Sequence, residues 1–266
     1  MIAPSGVVTL TSDFGIQDSY VGTMKGVILR IYPAAKLVDL THQVSPQDVL
    51  EASLVLEGAY RYFPEGTVHL TVVDPGVGTS RRAILLQAGP FYFVGPDNGI
   101  FTRVLGSEPE ARVFAIENPH YRLSQISDTF HGRDIFAPVA AYLAQGIDPA
   151  EFGPQITDPV LLPLPLPRRW GNQIQGEVVS IDGFGNVITN VSRRLLDDAA
   201  VAGGFRITIN GKAIEQIHRS YQDADLGRIL ALFGSTDLLE IAVAGGRADR
   251  RLGVGKGDPF LIELKG

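Results

Sequence analysis

A run of prolines between residues 154 and 167 limits this chain more than any other feature. The segment GPQITDPVLLPLPLPRRWG carries Pro154, Pro159, Pro163, Pro165 and Pro167. Proline fixes φ and lacks an amide donor, so neither a helix nor a central strand continues through such density, and the backbone stays extended and stiff. Residues 153–172 are therefore expected to link an N-terminal domain, 1–152, to a C-terminal domain, 173–266. A length of 266 residues accommodates both. With 45% hydrophobic and 20% charged residues, the composition excludes a disordered chain. The 30 glycines and 17 prolines show no three-residue period, which excludes collagen and points to many tight turns.

Before the prolines, strand and helix signals alternate. GVVTL at 6–10 reads as a strand, 20–31 as a helix, KLVDL at 36–40 as a second strand, and 47–63 as a long helix with apolar residues at helical spacing. TVHLTVV at 67–73 is a third strand leading into DPGVG. Residues 83–87 and 91–95 form a pair joined by Ala-Gly-Pro, and 134–145 a last helix. This alternation predicts an α/β sandwich with a mostly parallel sheet covered on both faces. After the prolines come short β-type runs at 176–181, 186–191, 205–209, 228–233, 238–243 and 259–264, punctuated by Asp-Gly, Gly-Gly, Asn-Gly and Gly-Asp. They predict a small all-β barrel.

Several function classes drop out. The net charge is −6, whereas binding to a phosphate backbone calls for a basic excess. The absence of cysteine removes disulfides, thiolate nucleophiles, Cys-type zinc sites and iron–sulfur clusters. MIAPSGVVTLTSDFG lacks the basic and apolar regions of a signal peptide. No stretch reaches the ~18 apolar residues of a membrane span. The expectation is a soluble cytoplasmic protein with no membrane or nucleic-acid partner.

Ligands of open α/β sheets bind beyond the carboxyl ends of the strands. Three loops leave such ends with suitable residues: Thr11-Ser12-Asp13-Phe14-Gly15, Asp74-Pro75-Gly76-Val77-Gly78-Thr79 and Gly95-Pro96-Asp97-Asn98-Gly99. A fourth segment, Thr129-Phe130-His131-Gly132-Arg133-Asp134, opens a helix whose positive end favours a polar ligand. Of the five histidines, His42 reads as a loop residue, His69 as packed within its strand, and His120 and His218 as surface. His131, between an aromatic and a glycine at a helix start, is placed to enter a cleft. There is no GxGxxG after the first strand, and no GxxxxGK[ST], GxSxG or HExxH. DPGVGTSRR lacks the Lys-Ser/Thr ending of a phosphate loop, and Asp13, Asp74 and His131 lack metal-ligand spacing, so no metal and no cofactor is expected.

At these segments the sequence resembles the S-adenosylmethionine hydroxide adenosyltransferases, relatives of the fluorinating and chlorinating enzymes that use the same substrate. The resemblance rests on TSDFGIQDSYVGTMKG at 11–26, DLTHQVSPQDVLEAS at 39–53, VVDPGVGTSRR at 72–82, GPDNGIFT at 95–102, DTFHGRDIFAPVAAYLAQG at 128–146 and IDGFGNVITN at 181–190. It implies an N-terminal α/β domain, a C-terminal β-barrel and a homotrimer whose site lies between subunits. It implies a catalytic set of Asp74, Arg81 and His131, with Arg82 adjacent to the arginine. Asp13 matches the carboxylate that holds the ribose hydroxyls, and Asp182 the one near the methionine ammonium. Phe184 and Asn186 match residues that stack on and hydrogen-bond adenine. Ser235 matches a residue near the methionine carboxylate, and Gln47 stands where a fluorinating relative has tryptophan.

The implied reaction hydrolyses S-adenosylmethionine to adenosine and methionine without a cofactor. Methionine leaves as a neutral thioether, so the difficulty lies in the nucleophile: bulk water has a pKa of about 15.7. A neutral imidazole can accept its proton while a guanidinium stabilises the developing hydroxide and a carboxylate orients the guanidinium. Halogenating relatives replace these groups, so the set favours hydroxide over halide. A halide-dependent adenosyltransferase and a non-catalytic nucleoside-binding module are the alternatives.

Overall fold

The computed structural model describes residues 2–199 and 204–265. The chain divides into two compact units, Met1–Pro163 and Leu164–Gly266.

In the first unit, β1 (Val7–Ser12), β2 (Lys36–Thr41), β3 (Val68–Val72), β4 (Ala83–Ala88), β5 (Phe91–Pro96), β6 (Arg112–Ala115) and β7 (Gln155–Ile156) form one sheet in the order β2-β1-β3-β5-β4-β6-β7. Its helices are α1 (Tyr20–Ile31), α2 (Val49–Ala59), α3 (Thr102–Ser107) and α4 (Ala137–Ala144). The sheet is mixed rather than mostly parallel. β2, β1, β3 and β5 run parallel, whereas β4, β6 and β7 are joined by antiparallel ladders. The Ala-Gly-Pro connection folds β4 and β5 into the expected hairpin, and that reversal turns the rest of the sheet.

Both faces are covered, and strand alternation divides the apolar residues between them. Leu85 of β4 joins α1 and α4 residues such as Met24, Ile28, Val139 and Leu143 in one core. Its neighbours Ile84 and Leu86 join Ala52, Leu56, Phe101 and Val104 in the other. The long helix expected over 47–63 is shorter. Asp48 caps α2 by accepting from the Glu51 amide at 2.9 Å, and Gln47 has φ 65°, which lies outside helical backbone. The last helix instead begins earlier, as a π turn over Gly132–Phe136 that runs into α4.

In the second unit, β8 (Arg168–Trp170), β9 (Gln173–Ile181), β10 (Val187–Ser192), β11 (Phe205–Ile209), β12 (Lys212–Ile214), β13 (Ile229–Phe233), β14 (Leu238–Val243) and β15 (Pro259–Leu264) make an antiparallel sheet. The order is β12-β11-β15-β9-β10-β14-β13, with β8 on β9. The sheet is nearly barrel-shaped: Ile217, just past β12, bridges Ala231 of β13. All six expected β runs are strands, but the unit is not purely β, because α5 (Arg193–Ala199) and α6 (Ala248–Leu252) interrupt it. The proline-rich segment is itself structured at both ends, with β7 in the first sheet and β8 in the second.

His69 is fully buried in β3 among Tyr60, Phe63, Phe91 and Phe93, with Nδ1 2.8 Å from the Thr9 hydroxyl. Burial lowers its pKa to about 3. The unfolded chain takes up a proton near pH 6.5 and the folded chain does not, so stability is full above that pH and is lost as the pH falls toward 3. His69→Phe is expected to flatten this acid limb, measured as the slope of denaturation midpoint against pH between 6.5 and 4. An unchanged slope would contradict the assignment.

Candidate active site

Three loops meet at one edge of the first sheet because β1 and β3 run parallel with Ser12 opposite Val72. Asp13 follows the first strand directly, and Asp74 lies two residues beyond the second. The 127–131 segment joins them from α4. Phe14, beside Asp13, packs on Phe130, beside His131, at 5.8 Å, and Tyr20 contacts both rings. Gly78 has φ +75°, and a Cβ there would come within 2.4 Å of the Asp128 carbonyl oxygen. Only glycine lets the DPGVG loop lie this close to the histidine segment. Asp134, fully buried, accepts from the Ser127 amide at 2.8 Å and ties down the start of that segment.

These supports bring Asp74, Arg81 and His131 together. Arg81 Nε donates to Asp74 Oδ1 at 2.9 Å, and Arg81 Nη2 donates to Asp74 Oδ2. The Arg81 and Asp74 side chains are 9% and 5% exposed. Phe136 of the π turn backs the guanidinium at 5.1 Å. Arg81 Nη2 also reaches His131 Nδ1 at 2.8 Å.

That last contact determines the state of the imidazole. A guanidinium has no acceptor, so Nδ1 must accept, and the neutral ring carries its proton on Nε2. Protonation would set Nδ1–H against the guanidinium. Burial first, and the Arg81 charge second, hold the His131 pKa below its ordinary value, against the opposing pull of Asp74, Asp134 and Asp128. The lone pair expected to face water is therefore engaged. What the set still offers is N–H donors, on His131 Nε2 and on the second hydrogen of Arg81 Nη1, whose other hydrogen reaches the Arg82 carbonyl at 3.4 Å.

Arg82 points elsewhere. It donates to Asp97 Oδ2 from Nε at 2.8 Å and pairs with Asp158 at 2.8 Å, holding the proline-rich segment to the sheet. Asn98 likewise is a turn residue, donating to the Val73 carbonyl at 2.8 Å. Asp13 accepts from the Gln47 amide at 2.9 Å, so it braces a loop as well as lying at the site edge. Sequence reasoning did not find the support behind it: Ser12 Oγ lies 2.8 Å from His42 Nδ1, and His42 Nε2 3.0 Å from Asp39.

The remaining candidates lie in the second unit. Asp182 Oδ1 accepts from the backbone amides of Phe184 at 2.9 Å and Asn186 at 2.8 Å, and its Oδ2 from Asn186 Nδ2 at 2.9 Å. Phe184 is 81% exposed. Ser235 is exposed on the hairpin between β13 and β14. Tyr221 and Glu240, missed in the sequence, complete the cluster. The Tyr221 hydroxyl donates to Glu240 Oε2 at 2.9 Å and lies 3.5 Å from Asn186 Nδ2. Burial and the Glu240 carboxylate push the Tyr221 pKa up to about 12, and burial raises that of Glu240. The available signal was an acidic residue inside the apolar run LLEIAV. Among the described residues no group of three or more His, Asp or Glu side chains is placed to hold a metal ion.

Comparison with known proteins decides the family. The model of the SAM hydroxide adenosyltransferase N-terminal domain matches residues 8–153, and that of the C-terminal domain matches 176–261. The chain belongs to the SAM hydroxide adenosyltransferase family. Two curated members, each named (R)-S-adenosyl-L-methionine hydrolase, come from Thermus thermophilus and Salinispora tropica. The first is 41% identical, covering 96% of this chain and 98% of that protein; the second is 40% identical, covering 98% and 99%. A fluorinase from Nocardia brasiliensis is more distant, at 29% identity over 84% of each chain. Among solved structures, an uncharacterized conserved protein from Thermotoga maritima superposes with TM-score 0.90 at 40% identity, covering 96% of this chain and 99% of that one. No helix among the described residues is long and apolar enough to cross a membrane.

The Arg81–His131 contact makes a direct prediction. In Arg81→Ala the pKa of His131 should rise, because the positive neighbour goes while Asp74 stays. The titration of the His131 ring followed by NMR measures it, and a fall or no change would show that the two groups do not touch.

Proposed function

We propose that this chain hydrolyses S-adenosyl-L-methionine to adenosine and L-methionine, using Asp74, Arg81 and His131 to hold the attacking oxygen. The reading rests on family membership together with one observation: a buried, carboxylate-anchored guanidinium that fixes His131 as an Nε2–H donor. The oxygen forms its bond to ribose C5′ as the C5′–S bond breaks, and the electron pair goes to sulfur. S-adenosylmethionine and water thus give adenosine, methionine and one proton.

The donor arrangement gives the set a role different from general-base catalysis. His131 Nε2–H and Arg81 Nη1–H stabilise hydroxide, and the proton leaves to solvent. Asp74 keeps the guanidinium in place and limits its charge. Hydroxide in bulk water is shielded by its hydration, so holding it by fixed dipoles, in line at about 3–3.5 Å from C5′, supplies both reactivity and orientation. Asp13 is assigned to the ribose hydroxyls, and Asp182, Phe184, Asn186 and Ser235 to the rest of the substrate, on the strength of the resemblance. No metal or cofactor is required. The curated relatives are named for the R epimer at sulfur, and we carry that preference to this chain. Cleavage destroys that centre, so the products do not record it and selection must occur on binding.

Incubation with each sulfonium epimer, with and without halide and with a chelator present, should release adenosine and methionine from the R epimer in every case. A 5′-halo nucleoside would favour the halogenating alternative, and no turnover the binding module. Asp74→Ala, Arg81→Ala and His131→Ala should each lower turnover by at least ~100-fold with substrate affinity within a few-fold, and the losses should be non-additive. Arg82→Ala should stay active and melt earlier. kcat should climb with unit slope from pH 6 to 9. A profile that is flat over this range would restore His131 as the base, because its pKa lies below the ordinary value and the ring would already be neutral.

The resemblance also supports a homotrimer in which the Asp74 set and the Asp182 group serving one substrate come from different copies. Inactive Asp74→Ala and Asp182→Ala proteins, mixed under conditions that exchange subunits, should then regain activity. Mixed trimers that form and remain inactive would exclude a shared site.

A further inference from the structure

The turn that carries Asp13 is held by the segment that follows β2. Gly15 donates its backbone N–H to the His42 carbonyl at 2.7 Å, and Gln47 donates its own to Asp13 Oδ2 at 2.9 Å. Asp13 Oδ1 has no partner among the described residues. Gln47 has φ 65°, a left-handed conformation that a glutamine does not favour, so the segment does not keep this shape by local preference. The His42 side chain, 7% exposed, ties the segment back to β1. Its Nδ1 lies 2.8 Å from Ser12 Oγ, and the same Oγ accepts from the Phe14 amide at 3.3 Å.

A bulge lets the ring make a second contact. β1 and β2 pair Leu10 with Asp39 but Thr11 with Thr41, so β2 carries one extra residue. Residues three apart on a regular strand face opposite ways, whereas here His42 Nε2 lies 3.0 Å from Asp39 Oδ1. Lys25 of α1 holds the other Asp39 oxygen at 2.6 Å. A carboxylate beside Nε2 calls for a hydrogen there, so in the neutral ring Nδ1 is the acceptor and the Ser12 hydroxyl the donor. That hydroxyl is then directed at both ends, its hydrogen to His42 and a lone pair to the Phe14 amide. Serine, histidine and aspartate in this order suggest a nucleophile, but Ser12 is 1% exposed, which leaves its oxygen out of reach of a substrate. The group ends instead one residue short of Asp13.

We propose that His42 is a positioning residue: with its tautomer set by Asp39, it locks the 12–15 turn and keeps Asp13 Oδ1 free and aimed at the sugar hydroxyls. This rests on the ribose-binding role proposed above for Asp13. Without the Nδ1 acceptor the buried Ser12 hydroxyl turns to another partner and the turn relaxes. A ligand then loses what its hydroxyls contribute and keeps its other contacts, which a general loosening of the fold would not produce.

Calorimetric titration of the intact chain with adenosine and with 2′,3′-dideoxyadenosine tests this. Wild type should bind adenosine at least ~10-fold more tightly, because the analogue leaves unpaired a carboxylate placed to accept hydroxyls. His42→Phe keeps a ring without the acceptor and should narrow that ratio at least ~5-fold, with dideoxyadenosine affinity little changed. His42→Asn, whose side-chain oxygen stands where Nδ1 was, should hold the wild-type ratio. Ser12→Ala removes the donor from the other side and should match His42→Phe. Nitrogen-15 NMR of the neutral His42 ring should show the Nε2–H tautomer in wild type. An unchanged ratio in His42→Phe and Ser12→Ala, equal loss of both ligands, or an Nδ1–H tautomer in wild type would overturn the proposal. Asp13→Ala separates the two levels. If it collapses the ratio while the His42 and Ser12 variants keep it, only the positioning role fails; if it leaves the wild-type ratio intact, the ribose reading of Asp13 fails with it.

Discussion

The Arg81 guanidinium is the group on which the rest of the candidate site depends. It can only donate, and it is nearly buried, so every neighbour must accept from it or tolerate its charge. Asp74 supplies the compensating carboxylate, and His131 supplies a lone pair. Removing one member of a buried pair of this kind typically costs about 3–5 kcal/mol, because the other charge is left uncompensated. The loops that hold the pair are built to match. Gly78 admits the DPGVG loop against Asp128, and Phe136, on the π turn, closes the far side of the guanidinium. π turns recur at functional sites, where the wider turn re-aims side chains that a regular helix would place elsewhere.

The sheet explains why these groups lie at one edge. Parallel pairing of β1 with β3 puts the ends of both strands on the same side, and the Asp13 and Asp74 loops leave from there. The Phe14–Tyr20–Phe130 cluster then carries the histidine segment to the same place. The mixed half of the sheet, β4, β6 and β7, serves a different end: with Arg82 on Asp97 and Asp158 it fastens the segment that leads out of the unit.

What could be read from the sequence follows from the range of the interactions involved. Short apolar runs bounded by turn residues gave β1 and β3 closely, and Tyr20–Ile31 is the helix the pattern indicates, because these features depend on local periodicity. β6 and β7 were not expected at all, β7 falling in the segment read as the linker: strands of four and two residues are too short for a periodic signal and depend on the strand each meets. The helix start at Gln47 failed for a related reason: Asp13, far away in the chain, accepts the Gln47 amide and the backbone there is left-handed. The motif residues Asp74, Arg81 and His131 were legible through resemblance, but the direction of the Arg81–His131 hydrogen bond was not. Tyr221 and Glu240 were missed because their partnership spans a hairpin and a loop, although a glutamate within LLEIAV is a polar group that burial obliges to find a partner.

Attack by a held oxygen at ribose C5′ is the central claim, and isotope labelling tests it most directly. S-adenosylmethionine has other carbon–sulfur bonds, and water attacking the amino-acid side would release methylthioadenosine instead. In water enriched in oxygen-18, a single turnover should place the label in the 5′-hydroxyl of adenosine and leave methionine unlabelled. Formation of methylthioadenosine, or adenosine without the label, would contradict the account.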